Sequence, residues 1–423
     1  MNVLVAMAML APFAGCKNNK DGTLFGIAEN GMFGYMNKDG KVVIPPQFDD
    51  EEMVFENDMA RVQKDGKWGY INRSGKTLIA PRFDELWFFD GLEIAIFMED
   101  GKYGCVDKKG NVVIEPQFDE AYDIQDGMAM VAKDGKWGFI DITSKKVIEP
   151  QFGNAFDFTE GMAKVERDGK WGYIDKTGKM VIEPQFDQAY FFADGMAMVE
   201  KDGKRGYVDK AGRMVIEPQF DNAYSFNDGL ARVVKDGKWG YIDKAGKMVI
   251  EPQFDYAYAF EGDLALVDKD DKSGFIDKTG KMVIEPQFDD AFWFSDGMAK
   301  VEKDGKWGYI DNTGKMVIEP QFDGANDFVE GLAWVKKDDK WGCVDKTGKM
   351  VIEPKFDGSY DYEDGLAWFV INDRWGCVDN TGKIVVEPQF DNEGYYFKGL
   401  AWVMKDGKGG WIDKAGKYVW KEK

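Results

Sequence analysis

Short apolar runs, three to a unit, recur along the chain between turns rich in Asp, Gly and Lys. The stretch around Trp171 shows the pattern. Met162-Ala163-Lys164-Val165-Glu166 alternates in part and predicts a strand. Arg167-Asp168-Gly169-Lys170 follows, and Asp-Gly between two extended runs predicts a type I′ hairpin, a turn that needs positive φ at both central residues. Trp171-Gly172-Tyr173-Ile174-Asp175 is the next strand. Lys176-Thr177-Gly178-Lys179 is a second turn, with Gly178 suited to its left-handed position. Met180-Val181-Ile182 is a third strand, and Pro184, lacking an N–H for the ladder, is expected to stop it. Phe186, Ala189 and Tyr190 stand at i, i+3 and i+4, which predicts one helical turn. The expected unit is a three-stranded β-meander with a compact aromatic corner.

This unit repeats down the whole chain. The Gly after the aromatic falls at Gly34, Gly69, Gly104, Gly138, Gly172, Gly206, Gly240, Gly274, Gly308, Gly342, Gly376 and Gly410, giving twelve units spaced by 34 or 35 residues. A period in that range marks an all-β tandem array in which each unit covers its apolar face with its neighbours. A three-stranded sheet of this size would not stand alone. Buried aromatics, each contributing roughly 1.5–3 kcal/mol, offset the ordering entropy once units stack. Propellers generally have about four to eight blades of four strands. Twelve three-stranded units therefore predict an open solenoid, with β-propeller-like closed rings, such as a pair of six-bladed ones, as the alternative. Tyr418-Val419-Trp420-Lys421-Glu422-Lys423 never reaches Glu-Pro and is expected to form a C-terminal cap. The mid-strand Gly of each Trp-Gly pair implies a bulge or the close approach of a neighbouring ring.

Lys-Trp-Gly-Tyr-Ile-Asp-Lys-Thr-Gly-Lys with a downstream Pro-Gln-Phe-Asp resembles the WG-repeat family of bacterial proteins, over about residues 22 to 420. The resemblance implies a β-rich repeat region, often exported, without established catalytic activity and with a role in binding other molecules. It supplies no catalytic residues. Trp68, Trp137, Trp171, Trp239, Trp307, Trp341 and Trp375 are its structural repeat positions. Phe33, Tyr103, Arg205, Ser273 and Gly409 occupy the same slot in other units, so the slot tolerates loss of the aromatic.

The N-terminus differs in kind. Val3 to Phe13 is an apolar run too short to span a bilayer and suited to a signal sequence. It leads into Phe13-Ala14-Gly15-Cys16 and then polar residues, which resembles a bacterial lipoprotein signal. That resemblance implies a signal peptide over 1–15, lipidation of Cys16, a tether over 16–22 and the repeat array over 23–423. Localisation is then the cell envelope, with the membrane engaged through the N-terminal lipid only. Cys105, Cys343 and Cys377 each follow the repeat Gly and are expected to be small core residues. Cys343 and Cys377 lie in the same slot of adjacent units, so their pairing is left open.

The formal charge of −21 argues against nucleic-acid binding, which needs a basic patch. The chain has no histidine, the usual general base and commonest metal ligand. No P-loop, zinc or nucleophile-elbow spacing is present. We therefore expect no cofactor, no metal and no enzymatic activity. A carboxylate-dependent glycoside hydrolase is a distant alternative, because acids are abundant. Asp268-Lys269-Asp270-Asp271 lacks the downstream Glu of a calcium loop and is expected to be a hairpin turn.

Binding is the expected role. Differences between units concentrate in two columns of the aromatic corner. One includes Gln188, Asn222, Tyr256 and Asp290. The other includes Asp157, Phe191, Ser225 and Trp293. The Ala and Tyr or Phe between them are expected to be core. Variable positions on a regular scaffold carry its binding surface, so Phe191, Tyr256 and Trp293 are the candidate contacts. The sequence thus supports a non-catalytic envelope lipoprotein acting as an interaction scaffold for a protein partner, or alternatively a glycan- or peptidoglycan-binding module.

Overall fold

The computed structural model describes residues 22–51, 55, 57–89, 92–360, 362–363 and 365–422. The signal sequence, Cys16 and most of the tether lie outside them.

Each unit after the first is a four-stranded antiparallel sheet, one strand more than the pattern predicts. In blade 5 (residues 154–186) the strands are Asn154–Ala155, Met162–Arg167, Lys170–Asp175 and Met180–Phe186, paired in that order. The type I′ turn is present, with φ of 54° at Asp168 and 77° at Gly169. A second turn of this kind, at Glu160 and Gly161, leads into the second strand. The expected helical turn at Phe186–Tyr190 does not form. Those residues cross into blade 6, where Gln188 and Ala189 pair with Glu200 and Val199. The open edge of the second strand takes the backbone groups that a helical turn would satisfy internally. Burial of Phe186 and Ala189, which the i, i+3 spacing reported, is reached in extended form.

Pro184 does not stop its strand. Tyr173 pairs with Ile182 and Trp171 with Phe186, so Glu183-Pro184-Gln185 bulges out opposite Gly172 alone. A bulge is where proline is tolerated in a sheet. It also explains the glycine: a Cβ on Gly172 would run into the carbonyl O of Ile182 and stand 2.7 Å from the N of Pro184. The close approach is by the blade's own backbone, not by a neighbouring ring.

Other repeated letters have local causes. Asp175 accepts the N–H groups of Thr177 at 2.8 Å and Lys179 at 3.1 Å, closing the turn into the fourth strand. Asp187 accepts the N–H of Asp202 at 2.8 Å and a bond from the Lys170 ammonium. That ammonium, first, and the Asp202 N–H hold the Asp187 carboxyl below its ordinary range, and the same arrangement lowers Asp84, Asp221, Asp255, Asp289 and Asp323. A group depressed on folding contributes stability above its unfolded pKa of about 3.9, and that contribution is lost as pH falls through the folded value. The melting temperature is expected to hold above about pH 5 and to fall steadily below about pH 4. A flat profile down to pH 3 would refute the assignment.

The core lies between blades. Tyr173 is buried, donates its OH to the carbonyl O of Tyr190 in blade 6 at 2.7 Å, and meets Phe192 edge-on at 5.0 Å. Gly178 lies against Ile148 of blade 4. Cys343 and Cys377 take the Tyr173 position in blades 10 and 11. There the Phe of the following blade becomes Tyr362 or Tyr396, so volume moves from one partner to the other. Both thiols are buried and free, which excludes the Cys343–Cys377 pairing, and burial pushes each up to about 12.

The open solenoid is overturned. Phe25, Ile27 and Met36 of blade 1 share one cluster with Leu400 and Trp411 of blade 12. The Trp411 indole N–H donates to the carbonyl O of Gly26 at 2.7 Å. Gly40 lies against Val419 as Gly75 lies against Ile44 between blades 1 and 2. Twelve sheets therefore close into a single propeller-like ring, not two. The C-terminal unit is a full blade (Tyr395–Phe397, Leu400–Lys405, Lys408–Asp413 and Tyr418–Lys421) packed on blade 1, not a cap. A ring is the physically consistent outcome of equal inter-blade contacts, because it leaves no blade with an uncovered apolar face.

Candidate binding face

The chain between the first and second strands of each blade carries a column of aromatics, the Tyr or Phe expected to be core. It runs through Trp87, Tyr122, Phe156, Tyr190, Tyr224, Tyr258 and Phe292, is interrupted by Asn326, and resumes at Tyr360. These rings are half-buried or exposed, with Phe156 at 38% and Tyr360 at 53%. Five lean on the Trp of their own blade: Tyr122 on Trp137 at 5.5 Å, Phe156 on Trp171 at 5.7 Å, Tyr224 on Trp239 at 5.6 Å, Phe292 on Trp307 at 5.7 Å and Tyr360 on Trp375 at 5.4 Å. Trp68, Trp137, Trp171, Trp307, Trp341 and Trp375 are half-buried, and Trp239 is buried. The repeat Trp is thus the floor of an aromatic arc. The signal was in the sequence, since the column is aromatic in every blade from the third to the eleventh except at Asn326. Its spacing from the buried Ala, however, is equally consistent with core.

The candidate contacts fall into two groups on this arc. Phe191 is 43% exposed and meets Phe156 edge-on at 6.1 Å. The Lys164 ammonium stands 3.9 Å from the Phe156 ring centre and 5.1 Å from that of Phe191. It also donates to the carbonyl O of Ala189 at 3.1 Å, and burial lowers its pKa. Tyr256 and Trp293 are half-buried, less open than expected, and are linked to each other through Tyr258, at 4.8 and 5.8 Å. Trp239 extends that string at 4.9 Å from Tyr256. The Arg232 guanidinium lies 4.0 Å over Tyr224 and donates to the carbonyl O of Ala257 at 2.9 Å.

Loss of the Trp in blade 8 changes the chemistry there. Ser273 is buried and donates its OH to Asp268 at 2.7 Å. Burial raises the Asp268 carboxyl above its usual range. A carboxylate and a hydroxyl thus stand beside Tyr256 and Tyr258, where other blades present an indole. Arg205 fills the Trp slot of blade 6 differently, with its guanidinium 5.4 Å from the Tyr190 ring centre and 3.3 Å from Glu200.

A cleft of about 230 Å³ opens on blades 2 to 4, lined by Arg61, Trp87, Phe88, Ile96, Asp123 and Ile124. Arg61 lies between the rings of Trp68 and Phe88, 4.4 Å from each centre, and donates to the carbonyl O of Leu86 at 2.8 Å. Its cation is held by the scaffold in the same way as Lys164 and Arg232. Among the described residues no group of three or more His, Cys, Asp or Glu is placed to hold a metal ion. Asp268 to Asp271 is the hairpin turn expected, with Asp270 and Asp271 both at positive φ.

A regular ring of Trp-Gly blades with this bulge, turn and aromatic arc defines a class of β-repeat protein. The WG containing repeat family matches in eleven consecutive segments from residues 33–68 through 375–408, and the chain belongs to that family. No curated protein matches it. Solved structures match it at low identity and low TM-score. PorZ, a surface component of the type-IX secretion system of Porphyromonas gingivalis, is 10% identical with a TM-score of 0.25, and the match covers 86% of this chain and 64% of that one. A eukaryotic initiation factor is 11% identical with a TM-score of 0.37, over 78% of this chain and 96% of that one. The extracellular domain of a one component system from B. thetaiotaomicron is 8% identical with a TM-score of 0.23, over 95% of this chain and 72% of that one.

Proposed function

We propose that this protein is a non-catalytic, lipid-anchored scaffold of the cell envelope, attached through Cys16, that docks a protein partner on its aromatic arc. The arc itself carries the reading: exposed and half-buried rings on a ring-shaped base, most of them backed by an indole and several held in place by a half-buried cation. Rigid aromatics lose little entropy on binding and dominate interface energies. The scaffold cations stiffen the rings without offering free charge. The partner is expected to present apolar and aromatic side chains.

Capture from envelope extract by the full chain tests this, beside Phe156→Ala with Phe191→Ala and the triple variant Phe191→Ala, Tyr256→Ala and Trp293→Ala. Loss of one hot-spot ring costs about 2 kcal/mol, so each variant should bind the captured partner at least about thirtyfold more weakly. The double variant removes only exposed rings and keeps its melting temperature. Equal capture by wild type and variants would defeat the proposal.

A glycan-binding role is the second reading, favoured by the Asp268 carboxylate and Ser273 hydroxyl beside Tyr256 and Tyr258. Rings give stacking surface to sugars, and the polar pair gives direction. Saturable binding to purified peptidoglycan, lost on Asp268→Asn, would place this reading first.

A further inference from the structure

An acid–cation pair joins successive blades at five junctions on one rim of the ring, and the seam between blades 12 and 1 carries a lysine in both positions. The residue before the Gly that leads into each second strand is acidic in most blades, and it reaches forward. Glu160 accepts the N–H groups of Asp194 and Gly195 in blade 6 at 2.8 and 3.0 Å and pairs with Lys210 at 2.9 Å. Asp126 pairs with Lys176 at 2.7 Å, Asp194 with Lys244 at 2.6 Å, Asp296 with Lys346 at 2.7 Å, and Asp228 with Lys278.

At two further junctions both positions change, whereas Glu330 keeps the acid, accepting the Gly365 N–H, opposite Asn380. Where the acid becomes Gly262 the cation becomes Asn312, and where it becomes Leu92 the cation becomes Ile142, in one apolar cluster. Arg73 and Lys108 pair instead with Asp58 and Glu93.

At the seam the acid position is Lys398 and the cation position is Lys38. Lys398 has φ 50°, matching Glu160 at 51°, so the backbone of the slot is intact. The Lys38 Nζ stands 3.2 Å from where a Cβ on Gly399 would lie, so the seam brings it to the slot. Among the described residues neither lysine forms an ion pair. Two lysines thus occupy the acid and cation positions of this seam, with the Lys398 ammonium 5.4 Å from the Phe397 ring centre, where five other junctions place a carboxylate against an ammonium.

We infer that this seam is a phosphate-binding site that locks the ring. A phosphate group carries about −1.5 to −2 charges at neutral pH and matches two ammonium groups. It would occupy the place that the Glu160 carboxylate holds within the ring, and would bind the closed seam in preference to an opened one. The phosphate has two sources, a free ion or a lipid headgroup. Gly22 occupies the equivalent slot of blade 1, its carbonyl O accepting a bond from Arg73, so the chain leaves for the tether one blade from the lysine pair. The headgroup source alone rests on the lipid-anchor reading.

Amide hydrogen exchange on the full chain tests the inference, with inorganic phosphate compared with chloride at matched ionic strength. Phosphate is expected to slow exchange over residues 24–37 and 400–413 by about threefold to tenfold and to leave interior blades unchanged. Lys398→Glu supplies the acid found at the five paired junctions. It should give the same slowing in chloride and remove the response to phosphate, while Lys38→Ala removes the response alone. Slowing by phosphatidylglycerol vesicles without free phosphate would assign the headgroup as the source; slowing by free phosphate only would keep the site and leave the anchor aside. Equal exchange in phosphate and chloride, equal slowing in every blade, or a phosphate response that persists in Lys398→Glu would overturn the site.

Discussion

Gly172→Ala is expected to destabilise the ring by about 3 kcal/mol or more, the upper end of overpacking costs. The added methyl would run into the backbone at Ile182 and Pro184. Neither can yield, because Ile182 is paired with Tyr173 and Phe186 with Trp171 on either side of the bulge. Relief would require the bulge to open and Phe186, buried against the neighbouring blade, to leave its place. Gly324→Ala is the matched control. Gly324 opens a first strand, has ordinary φ, and its nearest neighbour to an added Cβ is the Lys336 Cβ at 3.3 Å. Other blades carry Asn154 or Gln188 there, and a surface change of this kind falls within about 0.5 kcal/mol. Urea unfolding followed by tryptophan fluorescence measures both. Comparable midpoints for the two variants would show that the bulge is not what requires the glycine.

Trp411→Ala should have the second large effect, of about 3–5 kcal/mol, as for other buried aromatics reduced to alanine. Its ring is 4% exposed, lies 5.2 Å from Phe25 and 5.5 Å from Trp402, and its N–H satisfies the carbonyl of Gly26. The pattern of the loss matters more than its size. In a closed ring the damage crosses the seam, so amides of Leu24–Glu29 and Met32–Asn37 lose protection together with those of Leu400–Lys405, although nearly the whole chain separates them. In an open array only the last blade would respond. Unchanged protection in blade 1 would refute closure.

Much of one blade is legible without its neighbours. The hairpin at Asp168-Gly169, the turn at Gly178 and the three longer strands follow from residues whose causes are local: positive φ, an Asx cap from Asp175, and apolar runs of strand length. The first strand is not legible. Its partner is an edge formed some ten residues later, and its i, i+3, i+4 apolar spacing imitates a helix. Pro184 misleads in the same way, since only the register against Trp171 and Tyr173 shows that it sits in a bulge. On the candidate site, variation identified Phe191 correctly as exposed. The recurrent Tyr or Phe beside it reads equally well as core, because a position can be kept aromatic either for burial or for stacking on the repeat Trp, as Phe156 does on Trp171.

The amino-acid sequence by itself determined the repeat, its length, its β character and the chemistry available to it, with no histidine and a large excess of acid. These are sums over local causes, and each unit states them again. Tertiary structure alone decided that the array closes. Closure depends on the angle between successive blades, which is set by how Tyr173 meets Phe192 and how Gly178 rests on Ile148. A small angle repeated twelve times brings Trp411 to Gly26, and no single unit contains that sum.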